Sequence, residues 1–447
     1  MSNESASSPA AGTGRHWSWS IDGDGVAWLC IDKQGASTNT LGREVMEQLH
    51  EALAALGRER PTGVVVWSAK TNGFVAGADI TEFTGLRTPE QGYELISGGQ
   101  RVLDELEALP CPSVAAIHGF ALGGGLELAL ACTYRVAAND GQVALGLPEV
   151  MLGIHPGFGG TVRTPRLVGV RAALDLMLTG KTIRADRALA MGLVDRLAVP
   201  AELKAAAAAL LRERPAPRRA PFVDRLLSLG PLRGYVASQS EQQVAKRARR
   251  EHYPAPYAIV DLWRRHGARG AAAYDAEARS IAELFCTDAS RSLVRVFFLQ
   301  DRLKGLGGKG AAPVQNVHIV GAGVMGGDIA AWCAYRGLNV TLQDRAPEYV
   351  QPALDRAREF FGKRAKGADA AAARLRMDVE GAGVPGADVV IEAIYENVDA
   401  KQALYAQLEP RMKPGAVLAT NTSSLQLETL AAKLPDPARL VGLHFFN

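Results

Sequence analysis

Cysteine is scarce in this sequence, and several features that would indicate other classes of protein are missing. Five cysteines occur among 447 residues, none at metal-site spacing: Cys30, Cys111, Cys132, Cys286 and Cys333. An odd, sparse set of thiols fits a reducing compartment, so we expect a cytoplasmic protein that binds no metal. The formal net charge of +3 is small for this length and gives no electrostatic reason to expect a nucleic-acid partner. No run of about 18 apolar residues is present, so we expect no transmembrane segment.

The chain is too long for one hydrophobic core, and its apolar pattern changes along its length. The small, polar residues 1–14 predict a flexible tail. Residues 15–200 alternate short apolar runs with segments of helical period, which is typical of an α/β domain. Residues 201–312 show helical patterns without a convincing strand and predict a helical connector. Residues 313–447 return to strand–helix alternation, which predicts a second α/β domain.

A glycine-rich turn followed by a carboxylate is the most informative motif of the first domain. Three glycines precede Glu127 at the start of an apolar, helix-period segment, and Glu149 follows Pro148 just before a second glycine-rich turn. Amides at a helix start can hold a developing anion, so we predict an oxyanion hole formed by the amides of Ala78 and Gly124. The two glutamates would flank a water and move protons, and one of their pKa values should rise. This combination predicts chemistry on an enolate. The alternative is a tight turn with both glutamates facing solvent.

These residues carry a resemblance to the crotonase family of enoyl-CoA hydratases and isomerases. The matching segments are 73–80, 119–128, 147–149 and 156–161. The resemblance implies a ββα-spiral domain that binds a coenzyme A thioester, with the oxyanion hole and the catalytic glutamates at the two amides and two carboxylates named above. The presence of both glutamates favours hydration, although isomerisation of a 3-enoyl thioester could use the same enolate.

A second glycine-rich motif opens the C-terminal domain. It follows a predicted strand, opens a predicted helix, and precedes Asp344, which lies 18 residues past Gly326. Such glycines permit a tight turn and the close approach of a pyrophosphate. The residues predicted to contact a dinucleotide are Gly321, Gly323, Val324, Met325 and Gly326. Asp344 would bind the adenosine ribose, which favours NAD over NADP, whereas the adjacent Arg345 could serve a 2′-phosphate. A purely structural glycine turn is the other alternative.

The last motifs of the chain resemble the 3-hydroxyacyl-CoA dehydrogenase family. They occupy residues 392–401, 421–425 and 442–447. The resemblance implies that His444 is the base that takes the hydroxyl proton during hydride transfer to NAD. It further implies that four residues orient the substrate or contact the cofactor: Ser423 and Asn447 for the substrate, Glu396 and Lys401 for the cofactor. A core histidine at the end of a strand is the alternative for His444.

The two domains in this order resemble the α-subunit family of bacterial fatty-acid oxidation complexes. The resemblance covers essentially the whole chain after residue 15. It implies an α/β protein with a crotonase-like spiral domain, a helical connector and a Rossmann-type doubly wound NAD-binding domain. It also implies a helical domain beyond Asn447 that covers the acyl chain and orients the histidine. We therefore expect an incomplete dehydrogenase domain in this chain.

The function expected from these motifs is hydration of trans-2-enoyl-CoA to 3-hydroxyacyl-CoA in fatty-acid β-oxidation. The second site would bind NAD and oxidise the product poorly. One alternative is an NAD-dependent 3-hydroxyacyl-CoA dehydrogenase of which this sequence is a fragment. Another is a non-catalytic scaffold that binds acyl-CoA or NAD and docks a thiolase β-subunit.

Overall fold

The computed structural model describes residues 10–306, 313–364 and 367–445. These residues divide into two compact units, of which the first ends at Leu306. Across the described ranges every helix is too short or too polar to cross a membrane.

The strands of the first unit form two sheets. In chain order they are β1 (Ala11–Thr13), β2 (Trp17–Ile21), β3 (Val26–Ile31), β4 (Gly63–Ser68), β5 (Ser113–Ile117), β6 (Phe120–Leu122), β7 (Tyr134–Ala138), β8 (Ala144–Gly146), β9 (Thr182–Ile183) and β10 (Arg196–Ala198). The larger sheet has the order β1-β2-β3-β4-β5-β7-β10. Its pairs are antiparallel from β1 to β3 and parallel from β3 to β10. The smaller sheet has the order β6-β8-β9.

The helices of the first unit lie along the rest of residues 10–306. They are α1 (Arg43–Glu59), α2 (Ile80–Phe83), α3 (Pro89–Glu107), α4 (Gly124–Ala131), α5 (Gly160–Val168), α6 (Val170–Thr179), α7 (Ala185–Met191), α8 (Leu203–Glu213), α9 (Phe222–Leu227), α10 (Gly230–Ala245), α11 (Pro254–His266), α12 (Ala271–Phe285) and α13 (Asp288–Leu306). Two 3-10 turns occur at Pro148–Leu152 and Pro200–Glu202. Local chemistry fixes some ends: α3 begins at a capping box between Thr88 and Gln91, with Pro89 in its first turn.

The parallel strands of the large sheet are buried on both faces. Val64 and Val66 of β4 belong to the main core, whereas Val65 belongs to a second apolar cluster with Leu203 and Leu210 of α8. Successive side chains of a strand point to opposite faces, so a strand covered on both faces needs an unbroken apolar run. That requirement explains the run Gly63–Ser68, and it makes α8 part of this unit.

The helices between residues 200 and 306 belong to the first compact unit, which differs from the predicted connector at 201–312, whose last residues, 307–312, lie outside the described residues. Helix α12 lies against α3: Gln100 Nε2 donates to Glu277 Oε1 at 3.0 Å, and the Tyr93 hydroxyl donates to Asp275 Oδ1 at 2.7 Å. A helical period indicates that one face is buried, but it does not identify the partner. The predicted boundary at 200 therefore falls inside a folded unit.

Residues 1–9 of the predicted tail at 1–14 lie outside the described residues, and the structure differs from that prediction within residues 10–14. Ala11–Thr13 forms the edge strand β1, which pairs with Ser18–Ser20 of β2. Three residues are too few to show the alternation by which a strand is recognised in sequence.

The second unit is a parallel sheet flanked by helices. Its strands are β11 (Asn316–Val320), β12 (Asn339–Gln343), β13 (Leu375–Met377), β14 (Val389–Glu392), β15 (Val417–Thr420) and β16 (Leu440–Gly442). Its helices are α14 (Val324–Tyr335), α15 (Pro347–Gly362), α16 (Ala368–Arg374), α17 (Val398–Leu408) and α18 (Leu427–Ala431). The strand order β13-β12-β11-β14-β15-β16, parallel throughout, is the 3-2-1-4-5-6 order of dinucleotide-binding folds. The predicted Rossmann-type doubly wound sheet is confirmed, and its order reverses between β11 and β14.

Candidate active site and cofactor site

A cavity of about 230 Å³ in the first unit brings together the four residues that the sequence predicts for enolate chemistry. Its lining includes Ala78, Gly124, Glu127 and Glu149. The rest of the lining is mostly apolar and includes side chains from α12 and α13, such as Ile281 and Phe297. The helices after residue 200 therefore help to close this cavity.

Two backbone amides meet at one side of the cavity. Gly124 is the first residue of α4, and a Cβ placed on it would lie 3.3 Å from the amide nitrogen of Ala78. Gly77 has φ 115°, and Gly123 has φ 51° with ψ −127°, conformations that residues with a Cβ rarely adopt. Within the described residues, neither Ala78 nor Gly124 donates its N–H to another backbone group. Two adjacent N–H groups are thus available to an oxygen of a bound molecule.

The Glu127 carboxylate is held inside the protein by a glycine-rich loop. Glu127 lies in the first turn of α4 with a side chain that is 2% exposed. Its Oε1 accepts hydrogen bonds from the amides of Phe158 and Gly160, both at 2.7 Å. Burial, together with the nearby charges of Glu149 and Glu277, raises the pKa of Glu127 well above its usual range.

The Glu149 carboxylate has a different environment. It lies on the 3-10 turn Pro148–Leu152, and both of its oxygens are buried with no hydrogen-bond partner among the described residues. Burial raises the pKa of Glu149 to about 8, and the charge of Glu277 contributes in the same direction. A buried carboxyl group without partners is costly, and such groups concentrate where chemistry needs them.

A third buried carboxylate, Glu277 of α12, was not singled out from the sequence. It is 0% exposed, and its oxygens accept from the amides of Gly159 (2.6 Å) and Thr161 (2.8 Å), from Gln100 Nε2 (3.0 Å) and from the Thr161 hydroxyl. No local motif surrounds it. The available signal was its place on the apolar stripe of α12, four residues before the buried Ile281.

A buried histidine also lines the cavity. His155 directly precedes Pro156 and is 0% exposed. One ring nitrogen, Nδ1, lies 2.7 Å from the carbonyl oxygen of Pro156, and the other, Nε2, lies 2.9 Å from Ser280 Oγ. Burial lowers the pKa of His155 to about 4. The ring is therefore neutral near pH 7 and adds no charge to the three carboxylates.

In the second unit, the predicted glycine-rich motif forms the turn between β11 and α14. Gly321 has φ 105°, and a Cβ on Gly326 would lie 1.8 Å from the carbonyl oxygen of Gly321. A Cβ on Gly323, by contrast, would meet nothing within 4 Å. The first and third glycines are thus required by the fold itself, while the second leaves open space at the start of α14, where a pyrophosphate can approach the amides. This arrangement fits a dinucleotide.

Asp344 lies directly after β12, as the prediction requires. Its Oδ2 accepts from the amide of Ala322 at 2.8 Å, and its Oδ1 accepts from the amide of Arg345 at 2.7 Å. The carboxylate is therefore fixed beside the glycine-rich turn, where it could bind a ribose. The Arg345 side chain is 84% exposed. Its guanidinium lies 4.9 Å from the ring centre of Tyr349.

Glu396, Ser423 and His444 lie after the other strands of this parallel sheet, at its carboxyl edge. Glu396 follows β14, and its oxygens accept from the Ser423 amide at 2.7 Å and from the Thr422 hydroxyl at 2.8 Å. The structure thus brings Glu396 and Ser423 together. His444 lies two residues past β16 and is exposed, whereas Asn447 falls outside the described residues.

Lys401 is predicted to contact the cofactor, but the structure buries its side chain. Its side chain is 1% exposed, and its Nζ lies 2.6 Å from Glu392 Oε1 and 3.6 Å from Glu396 Oε2. Glu392 is 0% exposed and also accepts from the Tyr405 and Thr420 hydroxyls. The cofactor contact stays a prediction, while the ion pair with Glu392 is a clear structural role.

Replacing Lys401 by methionine should lower the free energy of unfolding of the second unit by about 3–5 kcal/mol, because Glu392 would be left as an uncompensated buried charge. Calorimetry of the full chain measures the change, with the exposed Lys433→Met as the matched control. An unchanged transition with weakened NAD binding would instead place Lys401 at the cofactor.

Two family models match separate parts of this chain. Residues 23–220 match the enoyl-CoA hydratase/isomerase family, and residues 316–447 match the NAD-binding domain of 3-hydroxyacyl-CoA dehydrogenase. An enoyl-CoA hydratase from Bacillus anthracis is 32% identical over 52% of this chain and 84% of its own, with a TM-score of 0.42. An enoyl-CoA hydratase from Geobacillus kaustophilus is 24% identical over 66% of this chain and 97% of its own, with a TM-score of 0.44.

A 3-hydroxybutyryl-CoA dehydrogenase from Escherichia coli K12 is 36% identical to this chain, with a TM-score of 0.30. The match covers 30% of this chain and 30% of that dehydrogenase. The two family matches confirm the resemblances drawn from the motifs. The chain belongs to the proteins that fuse an enoyl-CoA hydratase/isomerase domain to the NAD-binding domain of a 3-hydroxyacyl-CoA dehydrogenase.

Proposed function

We propose that the first unit hydrates a trans-2-enoyl-CoA thioester to the 3-hydroxyacyl thioester, with Glu127 and Glu149 as the catalytic pair. The observation that carries this proposal is one apolar cavity with two buried carboxylates and two available backbone amides. Loss of the absorbance of the conjugated enoyl thioester, followed across C4 to C16 acyl chains, tests it. An acyl-CoA that binds without any loss of absorbance would leave only a scaffold role.

The two carboxylates divide the proton transfers according to their hydrogen bonds. Donors from Phe158 and Gly160 favour the ionised form of Glu127. Glu149 lacks such partners among the described residues, so the pair keeps its proton on Glu149.

The reaction then runs with these groups in fixed roles. Glu127 takes a proton from water as the water oxygen bonds to C3 of the substrate. The electron pair of the C2–C3 double bond moves toward the thioester, whose oxygen becomes negative and is stabilised by the amides of Ala78 and Gly124. Glu149 delivers its proton to C2. The product gains one water, and proton return from Glu127 to Glu149 restores the starting state.

The pH dependence of kcat/KM follows from the proton on Glu149. Because its pKa is raised to about 8, we expect kcat/KM to fall as the pH rises through about 8, when the acid loses its proton. Initial rates with a crotonyl thioester between pH 6 and 10 measure this limb. A rate that stays level up to pH 10 would contradict the assignment of Glu149 as the acid.

For the second unit we propose binding of NAD at the β11–α14 turn, with Asp344 on the adenosine ribose and His444 as the proton acceptor. When bound, NAD would take a hydride from C3 of the hydroxyacyl product. Ser423 would orient the substrate, and Glu396, whose Oε1 accepts from the Ser423 amide, would contact the cofactor. NAD-dependent oxidation by this chain, a thiolase β-subunit as partner and a cytoplasmic location stay predictions.

A further inference from the structure

Consecutive amides of residues 158–161, the turn that leads into α5 and is called the 158–161 loop below, point alternately to two different carboxylates. Phe158 and Gly160 donate to Glu127, whereas Gly159 and Thr161 donate to Glu277. The donor–acceptor distances lie between 2.6 and 2.8 Å. The same four-residue loop therefore holds Glu127 from one side and is itself held by Glu277 from the other.

We infer that Glu277 is a positioning residue for the hydratase reaction, which fixes the 158–161 loop so that two of its amides hold Glu127 in the orientation needed to activate water. This inference rests on the proposed function. It assigns a part of the catalytic apparatus to α12, a helix outside residues 23–220 that match the hydratase family.

All described hydrogen bonds to the Glu277 carboxylate come from the 158–161 loop or from Gln100 of α3. Besides the two amides, the Thr161 hydroxyl and Gln100 Nε2 donate to its carboxylate. Gln100 Nε2 also lies 3.0 Å from the carbonyl oxygen of Gly157, just before the loop. Burial raises the pKa of the Glu277 carboxyl, whereas its four donors act in the opposite direction because they favour the charged form.

Glu277 also acts on the catalytic pair through its charge. Its negative charge raises the pKa of Glu127 and of Glu149. Among the described residues, other charged or titratable groups around the loop include Arg163, whose guanidinium is bound by Asp104 and Glu107, and His155, whose pKa is lowered to about 4. Tyr274 also lies beside Gly159, and burial raises the pKa of its phenol. Removing the charge of Glu277 should therefore lower the pKa of the Glu149 acid, so that kcat/KM begins to fall at a lower pH.

The decisive variant is Glu277→Gln, compared with Glu283→Gln, which removes an exposed carboxylate from the same helix. A glutamine keeps the size but turns an NH₂ group toward N–H donors, so the loop loses acceptors. A misplacement of about 1 Å costs about 100-fold in rate, so we expect kcat for a crotonyl thioester to fall by about 100-fold. KM should change little. The pH at which kcat/KM falls should drop below about 8, the pKa of Glu149 in the wild-type chain.

A second variant protects the test against misfolding. Thr161→Val removes one hydroxyl donor to Glu277 and leaves the backbone amide in place; it should reduce kcat by less than Glu277→Gln, with KM preserved. Wild-type kcat and pH profiles in both variants would overturn the positioning role while leaving the hydratase proposal intact. If the wild-type chain does not hydrate the thioester, the proposed function fails first.

Discussion

Replacing Glu149 by glutamine should lower the rate of enoyl-CoA hydration by about 1000-fold, because general acid–base groups contribute about 100- to 10,000-fold. Glutamine has nearly the same size as glutamate but cannot deliver a proton to C2. Since both Glu149 oxygens are buried without partners among the described residues, the substitution breaks no described hydrogen bond. We therefore expect the fold to survive, and KM to change much less than kcat.

The matched control is Glu202→Gln, which removes an exposed carboxylate of the same unit. It should retain the wild-type rate. The measurement is the initial loss of enoyl absorbance at pH 7 at several thioester concentrations. A Glu149→Gln protein that hydrates the thioester at the wild-type rate would contradict the assigned mechanism, even if the wild-type chain is a hydratase.

Replacing Gly323 by valine should raise the Kd for NAD by about 100-fold and leave hydration unchanged. The space beside Gly323 is open in the structure, and a branched side chain would occupy the position from which a pyrophosphate reaches the amides at the start of α14. Losing two charge-assisted hydrogen bonds costs about 3 kcal/mol, which corresponds to about 100-fold in Kd.

Gly362→Val provides the control for the second unit, because Gly362 also has open space around its Cβ position but lies exposed at the end of α15. Titration calorimetry with NAD compares the two variants and the wild-type chain. Equal affinity in all three would show that the β11–α14 turn does not hold the pyrophosphate. A loss of hydration in Gly323→Val would contradict the independence of the two sites.

The parts of the sites that lie in short segments could be predicted from the sequence. The glycines before Glu127 and the strand–turn–helix around Gly321 each fix their own geometry locally, through positive φ values or close backbone approaches. The α/β class of the second unit also followed from its strand–helix alternation, because parallel strands joined by crossovers leave few topologies.

Other features depend on residues that meet only after folding. Glu277 reaches the 158–161 loop from a helix more than a hundred positions further along the chain, and its helical period indicated only that one face is buried. The burial of Lys401 against Glu392 could not be predicted from the sequence either, because a lysine in a polar segment usually faces solvent. The sequence predicted that one pKa of the glutamate pair would rise because two carboxylates lie close together; the pKa values of both Glu127 and Glu149 are raised, and the largest cause is burial.

The most direct test of the central claim is hydration by the full chain in the absence of NAD. On mixing with a trans-2-enoyl thioester, the conjugated absorbance should fall to an equilibrium value with no nucleotide added, and the Glu149→Gln protein should reach that value about 1000-fold more slowly. An absorbance that stays constant in the wild-type chain, while the thioester binds, would contradict the claim.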